Sequence, residues 1–554
     1  MTESKTDRNT SVEPEAMPPD PETSQTPEED TIDPANEFRG SRLILIHTAV
    51  CLFTFLVGLD FNMIATAVPV ITDHFNSITD VGWYGSAFML ALCSTQPFAG
   101  KTYILFPKRL VYLAYVTTLE IGSLVCALAP TSKALIVGRA VAGLGASGIF
   151  AGGFVVVTTI IPLHKRAIYT GTVSSAFAIA SVVGPVLGGA LTEHATWRWC
   201  FYINLPVGGF TALLFFPFFH IHPAATEKAP LMSKLKALDG VGFILFAAST
   251  IMLLLALQWG GVDYAWNSSI VIGLLVGCVL IFALFVPWQL HMKDDALIPP
   301  RLFTAHRNVA LICGSSFFVI GPFMVVIFWL PIWFQAVLGA SPTQSGINYF
   351  PTVIADVVAA FIGAGVIVQA VGWWNPFLLL AEGLVCLGGG LLSTIYPEIS
   401  NGHWIGYQIL GGFGFALAGN LAHLGMQASL PKELVPLSAT ILLTSISTSN
   451  AIFMAIGQAV FQKRLMANLS AIVSPDVVTA IISAGATNLE SVVDPAVLPA
   501  VIRQYGKSVT QVFYIPAAAP AISFFLVSFC KWTSTKKRRP AAKAEDKEGQ
   551  KQPA

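Results

Sequence analysis

Fourteen long apolar runs follow one another along the chain. The hydrocarbon core of a bilayer is roughly 30 Å thick, and a helix needs about 20 apolar residues to cross it. The runs are continuous and rich in glycine, whereas the strands of a membrane barrel alternate polar and apolar residues. The sequence therefore predicts an all-α polytopic membrane protein with fourteen transmembrane helices. These helices are predicted near residues 43–65, 82–102, 110–130, 134–157, 168–192, 199–219, 240–258, 269–289, 309–333, 346–370, 375–395, 403–426, 436–461 and 512–531.

Charged residues make up 11% of the chain, against about 25% in an ordinary soluble domain. If the N-terminus lies in the cytoplasm, the short inner loops hold twelve lysines and arginines and the short outer loops hold two. Because basic residues are enriched in cytoplasmic loops, this asymmetry predicts that both termini are cytoplasmic. Residues 1–40 are acidic and rich in Pro, Ser and Thr, which predicts a disordered tail. Residues 532–554 form a basic tail that either stops transfer or lies against anionic lipid.

The sequence carries no motif for a nucleotide, cofactor or metal. The tripeptides at Gly100 and Gly506 resemble the end of a phosphate-binding loop, but Thr95 and Val501 stand where that loop needs a glycine. The stretch GLGASG from Gly143 lies inside a predicted span, where small residues let helices pack closely. The eight cysteines are dispersed, with no CxxC or Cys/His cluster. We therefore expect no cofactor, metal, nucleotide or nucleic acid, which leaves a solute transporter, a membrane receptor or a membrane enzyme.

Six sequence blocks occur in an order that marks one family. They are LDFNMIATAVPVIT in span 1, GRAVAGLGASG in span 4, GPVLGG followed by WRWCFYINLPVG at spans 5 and 6, LLLALQWGG in span 7, LPIWFQAVLGASPTQSG after span 9, and GYQILGGFGFALAGN in span 12. On these blocks the sequence resembles the major facilitator superfamily. Within it, the resemblance is to the fourteen-span drug:proton antiporters, especially the fungal branch that exports toxins and secondary metabolites. The resemblance covers essentially all of residues 40–531.

The resemblance implies a major facilitator fold, with two six-helix halves around a central cavity and two helices inserted between them. The N-terminal half then comprises residues 41–220, the inserted spans and linkers residues 221–300, and the C-terminal half residues 301–531. A long outer loop is expected at about residues 462–511.

Glycines recur along span 5 in the pattern of the family's antiporter motif, Gly-x8-Gly-x3-Gly-Pro-x2-Gly-Gly. The matching residues are Gly171, Gly184, Pro185, Gly188 and Gly189. Ala180 replaces the second glycine. Glycines four apart share a helix face and let a neighbouring backbone approach, and a proline can bend the helix. The pattern indicates a helix that rocks against a partner, although each glycine taken singly also fits ordinary packing.

Asp60 in span 1 and Arg139 in span 4 lie inside apolar helices, where an ionisable group is costly and indicates function. Each lies about five residues from the outer end of its span, which puts both roughly 7 Å below the outer membrane boundary. At this shared depth they can pair, with protonation of Asp60 releasing Arg139. The resemblance also implies a role for Arg139 in proton coupling, since the span-4 motif matches at Arg139, Gly143 and Gly145, with Ala142 in place of glutamine. The alternative is a static pair that fixes helix packing.

Three further carboxylates lie within predicted spans, namely Glu120 in span 3, Asp356 in span 10 and Glu382 in span 11. Each could bind a proton or a cationic part of a substrate. A carboxyl group in such a place can also stay protonated and hydrogen-bonded without any such role.

Two glycosylation sequons fall in predicted outer loops, beginning at Asn267 and Asn468. Asn468 is the better candidate, because its predicted loop is long and Asn267 lies close to the membrane.

The inner loop between spans 2 and 3 departs from the family. It reads GKTYILFPKRL and keeps Gly100, Lys108 and Arg109, but it has Ile104 where the family has an aspartate. We therefore expect no inner gate built on that aspartate.

Together these features favour a proton-coupled secondary active efflux pump. It would export small, largely apolar organic compounds such as a toxin, secondary metabolite or drug by alternating access, with the site near the bilayer midplane. Its expected partners are the substrate, protons and the lipid bilayer, and its expected location is the cell membrane. One alternative on the same fold is uptake or vacuolar transport, for instance of a siderophore. A membrane receptor or enzyme is the alternative of another class, but no nucleophile elbow or HExxH motif supports an enzyme.

Overall fold

The computed structural model describes residues 38, 40–75, 80–221, 230–261, 264–361, 368–431, 434–470, 472–474, 476–478, 481 and 493–533. The predicted tails, 1–40 and 532–554, therefore lie almost wholly outside the described residues. The first group of helices comprises α1 (Gly40–Phe75), α2 (Val81–Leu105), α3 (Lys108–Ala127), α4 (Ser132–Ile160), α5 (Leu163–His194), α6 (Trp199–Tyr202) and α7 (Asn204–Phe218).

Three helices follow at the predicted inserted pair, and a second large group completes the described chain. The helices at the inserted pair are α8 (Leu231–Ala237), α9 (Gly240–Trp259) and α10 (Ser269–Met292). The second group comprises α11 (Arg301–Thr304), α12 (Arg307–Leu338), α13 (Pro342–Asn348), α14 (Phe350–Val358), α15 (Val368–Val371), α16 (Asn375–Leu392), α17 (Asn401–Ala428), α18 (Val435–Leu469), α19 (Leu498–Val512), α20 (Tyr514–Ala518) and α21 (Pro520–Ser528).

Twelve helical segments of the described chain are long and apolar enough to cross a membrane. This confirms the all-α membrane fold, while the number of fourteen stays a prediction. The two predicted spans outside the twelve are those near 82–102 and 346–370. The first is present as α2, a helix of 25 residues, whose polar residues 94–96 lower its apolar character. The second includes residues 362–367, which lie outside the described residues.

The structure differs at both ends from the outer loop expected at 462–511. Helix α18 continues to Leu469, and α19 begins at Leu498. In α19, Val501 is buried, whereas the side chain of Arg503 is 67% exposed and pairs with Glu398 at 2.7 Å. Apolar residues that recur on one helix face do not form a continuous run, so a search for apolar runs misses such a helix.

Glycines of α4 bring it into backbone contact with α2 and α3. A Cβ atom on Gly143 would collide with the backbone of Phe88, and one on Gly145 would lie 2.7 Å from the Cα atom of Leu119. Helices in a bilayer gain no hydrophobic energy by associating, so close packing of small residues holds them together. These contacts confirm the interpretation of GLGASG as helix packing.

Buried apolar side chains form separate clusters in the two large groups of helices. The largest cluster lies within residues 302–530. Two others lie mostly within residues 38–219, and Ala439 and Leu443 of α18 join one of them. Each group therefore has its own core, and α18 reaches across to the other group.

The two groups meet near the predicted cytoplasmic end. A Cβ atom on Gly100 of α2 would lie 2.8 Å from the Cβ atom of Thr440 of α18. One helical turn further along, the Ser447 hydroxyl donates to Oε1 of Gln96 at 3.0 Å. The ring of Phe154 on α4 stacks on the imidazole of His423 on α17, with the centroids 4.0 Å apart. The groups are thus closed against each other at this end.

Lys101 attaches the inserted helices to α2 beside this closure. Its Nζ atom donates to the carbonyl oxygens of Ala237 at 3.3 Å and Asp295 at 3.0 Å. Asp239, the first residue before α9, accepts hydrogen bonds from two backbone amides and thereby holds the linker in place. Ile104 stands where the family has an aspartate. Close to it in the sequence, Lys101 binds backbone carbonyls of the linkers on either side of the inserted helices.

We predict that Gly100→Cys and Thr440→Cys together form a disulfide on mild oxidation. The Cβ atoms of bridged cysteines lie about 3.5–4.5 Å apart. The separation of 2.8 Å at these two positions reaches that range if the helices part by roughly 1 Å. Mass spectrometry of the digested protein identifies the bridged peptide in the presence of the native cysteines. The matched control pairs Gly189→Cys with Thr440→Cys, because no described residue outside this part of α5 has an atom within 4 Å of a Cβ position on Gly189. A folded first variant without the bridge would contradict the closure.

Candidate functional site

Asp60 and Arg139 form an ion pair in the core of the first group of helices. Nη1 of Arg139 donates to Oδ2 of Asp60 at 2.5 Å, and neither side chain has any exposed surface. Nη1 also lies 3.3 Å from the backbone carbonyl oxygen of Asp60. The structure thus brings together the two residues that the sequence placed at one depth in α1 and α4.

Two neighbouring helices, α2 and α7, form hydrogen bonds with the pair, and a third, α3, is bonded to it through Asn204. The Nδ2 group of Asn204 on α7 donates to Oδ1 of Asp60 at 2.9 Å and lies 3.0 Å from Oγ of Ser123 on α3. Nε of Arg139 donates to the backbone carbonyl of Tyr84 on α2 at 2.9 Å. The guanidinium carbon lies 4.6 Å from the centre of the Phe88 ring. The pair is therefore the centre of a polar cluster that connects five helices.

Sequence reasoning missed Asn204, Ser123 and the Tyr84 carbonyl. Asn204 lies in the quoted block WRWCFYINLPVG. A side-chain amide in an apolar span, like a charged side chain there, indicates a buried polar partner. The sequence does not indicate the carbonyl of Tyr84, because every residue has a backbone carbonyl. Which carbonyl is used depends on how the helices are rotated.

The cluster can bind one proton with a large structural effect. A buried ion pair is retained only if both charges are compensated, and removal of one charge leaves the other uncompensated at a cost of about 3–5 kcal/mol. A proton on Asp60 removes the charge that compensates Arg139. Nη2 of Arg139 already has no hydrogen-bond partner among the described residues, so protonation favours a rearrangement that gives the guanidinium water or another anion.

Glu120 lies on the same face of α3 as Ser123, about one helical turn away. Neither of its carboxylate oxygens has a hydrogen-bond partner among the described residues. Gly208 of α7 lies against this carboxylate. A Cβ atom at position 208 would collide with Oε1 of Glu120, so the glycine leaves space for the carboxylate. The structure therefore places Glu120 beside the cluster and outside its hydrogen bonds.

The antiporter-motif glycines of α5 form a close contact with α1. A Cβ atom on Gly184 would lie 2.8 Å from Cβ of Asn62, and one on Gly188 would lie 2.8 Å from the carbonyl oxygen of Met63. Asn62 is two residues from Asp60, so this seam adjoins the ion pair. Pro185 lies within α5, which continues as a helix past it.

Ala180, the departure from the motif, also lies in this seam. It faces Gly58 of α1, where a Cβ atom would lie 2.6 Å from that of Ala180. The glycine that the motif lacks on α5 is thus present on α1, and the helices still approach closely.

The remaining motif glycines have different surroundings. A Cβ atom on Gly171 would lie 2.8 Å from Cβ of Ala360 in the second group of helices. Among the described residues, none on another helix has an atom within 4 Å of a Cβ position on Gly189. One face of α5 therefore contacts α1, and its first turns contact the second group.

The other candidate residues lie apart from the ion pair. Asp356 is buried on α14, a helix that packs against α5 and α17. Oε1 of Glu382 on α16 lies within hydrogen-bond distance of two serine hydroxyls. Asn267 is exposed in a turn before α10. Asn468 lies in the last turn of α18 and not in a loop, and its amide donates to Oγ of Ser508 at 2.9 Å.

The described residues contain no group of histidine, cysteine, aspartate and glutamate side chains that could hold a metal ion. Two groups of apolar helices, each with its own core, and a buried ion pair in one of them define a helical membrane transporter. The model of the Major Facilitator Superfamily matches residues 50–454. The chain belongs to this superfamily.

Two similar proteins are fungal and carry the names of efflux pumps. The chain is 40% identical over 501 residues to "Efflux pump roqT" of Penicillium rubens, covering 90% of this chain and 92% of that protein. It is 41% identical over 515 residues to "MFS-type efflux pump MFS1" of Arthroderma benhamiae, covering 92% and 95%. A solved structure of the proton:xylose symporter XylE has the same fold, with a TM-score of 0.59, 13% identity, and coverage of 90% of this chain and 98% of XylE.

We predict that Asp60→Asn and Arg139→Met destabilise the protein non-additively. Each single variant leaves one buried polar or charged group without its partner, at a cost of about 3–5 kcal/mol for the lone charge. The double variant removes both charges and should be more stable than the sum of the single changes implies. Thermal unfolding midpoints of the four proteins in lipid nanodiscs measure this difference. Additive shifts would show that the two residues do not interact.

We also predict that Gly188→Val lowers the thermal midpoint far more than Gly189→Val. Both changes add the same side chain to adjacent positions of α5, but only Gly188 faces α1. Overpacking such a contact costs about 1–3 kcal/mol. Equal midpoints for the two variants in detergent would contradict the α1–α5 seam.

Proposed function

We propose that this protein is a proton-coupled efflux pump that exports small, largely apolar organic compounds. The observation that carries the proposal is the ion pair of Asp60 and Arg139, which offers one proton-binding carboxylate in a site without exposed surface. Export is supported by the names of the relatives, which are called efflux pumps. The superfamily is one of transporters, which favours transport over a membrane receptor or enzyme.

In this proposal, the contacts of α1 couple the protonation of Asp60 to movement between the two groups of helices. Protonation of Asp60 weakens its hold on Arg139 and Asn204, and thereby frees α1 relative to α4 and α7. The residues next to Asp60 on α1 pack against the glycine face of α5, and α5 reaches the second group through Gly171 and Ala360. A shift of α1 is therefore passed to the interface between the two groups. This is how one proton can favour opening of one end of the transporter and closure of the other.

The proposal includes an orientation. The lysines and arginines of the predicted inner loops support an orientation in which both termini are cytoplasmic and the ion pair lies nearer the outer face. The closure between Gly100 and Thr440 then lies on the cytoplasmic side, so the described arrangement is shut toward the cytoplasm. The cell membrane is the proposed location, and Asn267 and Asn468 are the proposed glycosylation sites.

Reconstituted liposomes test the proposal directly. The lumen is made acidic and contains a pH-sensitive dye, no ATP is present, and a neutral lipophilic fluorescent compound is added outside. We expect the compound to evoke loss of luminal protons with the wild-type protein. We expect no loss above that of empty liposomes with Asp60→Asn, because asparagine cannot bind the proton.

Asp294→Asn is the matched control, because Asp294 forms an exposed ion pair with Arg301. We expect this substitution to leave proton movement unchanged. Asp60→Glu keeps the carboxyl group and should retain part of the activity. Compound entry without proton movement would refute proton coupling. In a pump-deficient cell, greater toxin sensitivity on expression would indicate uptake and refute export.

A further inference from the structure

Glu382 lies in a second buried polar cluster, in the core of the second group of helices. Its side chain is 1% exposed. Oε1 is 2.7 Å from Oγ of Ser315 on α12 and 2.5 Å from Oγ of Ser523 on α21. The two serine oxygens are 2.8 Å apart. One carboxylate oxygen and two hydroxyl oxygens therefore form a closed triangle of hydrogen-bond distances where three helices meet.

The number of protons in this triangle identifies the state of the carboxyl group. Each serine hydroxyl has one proton to donate, and a carboxylate has none. Three hydrogen bonds need three protons, so two serines and an ionised Glu382 can form only two of them. A protonated Glu382 supplies the third proton, and each of the three groups then donates once and accepts once.

No positive charge compensates an ionised Glu382 at this place. Among the described residues, neither a salt bridge nor a hydrogen bond joins it to a lysine, arginine or histidine. The titratable groups on the helices around Glu382 are Cys386 on α16, Cys313 and Arg307 on α12, His403, Tyr407 and His423 on α17, Tyr514 on α20, and Cys530 and Lys531 after α21. His423 stacks on Phe154, and the cation nearest in sequence to Ser315 is Arg307, at the start of α12. An uncompensated charge at such depth is costly, and among the described residues Oε2 of Glu382 has no hydrogen-bond partner.

We propose that Glu382 is a second proton-binding site, which releases its proton during the transport cycle. On release the carboxyl O–H bond breaks and the proton passes to water. The serine hydroxyl that had donated to the other serine then turns, so that both hydroxyls donate to Oε1. The hydrogen bond between Ser315 and Ser523 is then lost, and Oε2 still lacks a donor. Release therefore requires α12, α16 and α21 to move apart enough to admit water, and this ties the proton to the conformation of the second group.

Infrared spectroscopy of the protein in lipid tests proton binding without any transport. A protonated carboxylic acid has a carbonyl stretch that ionised carboxylates and amides lack. We expect Glu382→Gln to remove such a band, Asp60→Asn to retain it, and alkaline titration of the wild type to abolish it. Ser523→Ala, which keeps the carboxyl group and removes one hydroxyl, should shift the band. An identical band in Glu382→Gln and wild type would overturn the proposal.

The release step rests on the proposed function and is measured in the same liposomes. We expect Glu382→Gln to keep substrate-driven transport but to move fewer protons per substrate, by about one, because a carboxyl group binds a single proton. Loss of coupling in Asp60→Asn with an unchanged ratio in Glu382→Gln would overturn the second site and leave the first intact. If the wild type moves no protons, the proposed function fails, and the alkaline loss of the infrared band still decides whether Glu382 binds a proton.

Discussion

The ion pair between Asp60 and Arg139 fixes the arrangement of the first group of helices. Apolar helices in a bilayer have little reason to prefer one rotation over another, because lipid and side chains are equally apolar. A charge without exposed surface removes that freedom, since it must face a partner of opposite charge. Asp60 and Arg139 thereby orient α1 and α4, and the bonds to Tyr84, Ser123 and Asn204 orient α2, α3 and α7.

In the second group of helices the polar cluster contains no ion pair. Glu382 on α16 bonds to serines of α12 and α21, whereas the charged pair of the first group bonds to the amide of Asn204 and the carbonyl of Tyr84. Each group thus carries a carboxyl group at a junction of three or more helices. Among the described residues, the polar contacts between the groups include hydroxyl-to-amide bonds at Gln96 and Asn420 and no ion pair, and a ring stack at Phe154 and glycine contacts accompany them. Strong polar bonds lie within the groups and weak ones between them, as expected if each group moves as a unit.

The sequence alone predicts the class of fold and the main site residues, because apolar length and buried charge are local signals. Asp60 and Arg139 could be assigned to one depth by counting residues, but their pairing depends on helix rotation, which continuous apolar runs leave undetermined. Asn204 is visible as a polar residue in a span, whereas its two partners are not. Apolar runs do not indicate the helix at the later end of the expected outer loop, because α19 is amphipathic and its apolar face becomes a core surface only against α12 and α18.

Gly58 and Ala180 show how the family motif has been divided between two helices. Where α1 and α5 approach closely, the two facing positions leave room for only one methyl group. Here Ala180 of α5 has that methyl group and Gly58 of α1 has none. The requirement belongs to the sum of the two side chains. A motif that counts glycines along α5 alone therefore describes only one of the two side chains that share this space. The absence of its second glycine does not prevent the close approach of the two helices. Positions 58 and 180 act as one steric unit whose two parts lie 122 residues apart in the sequence.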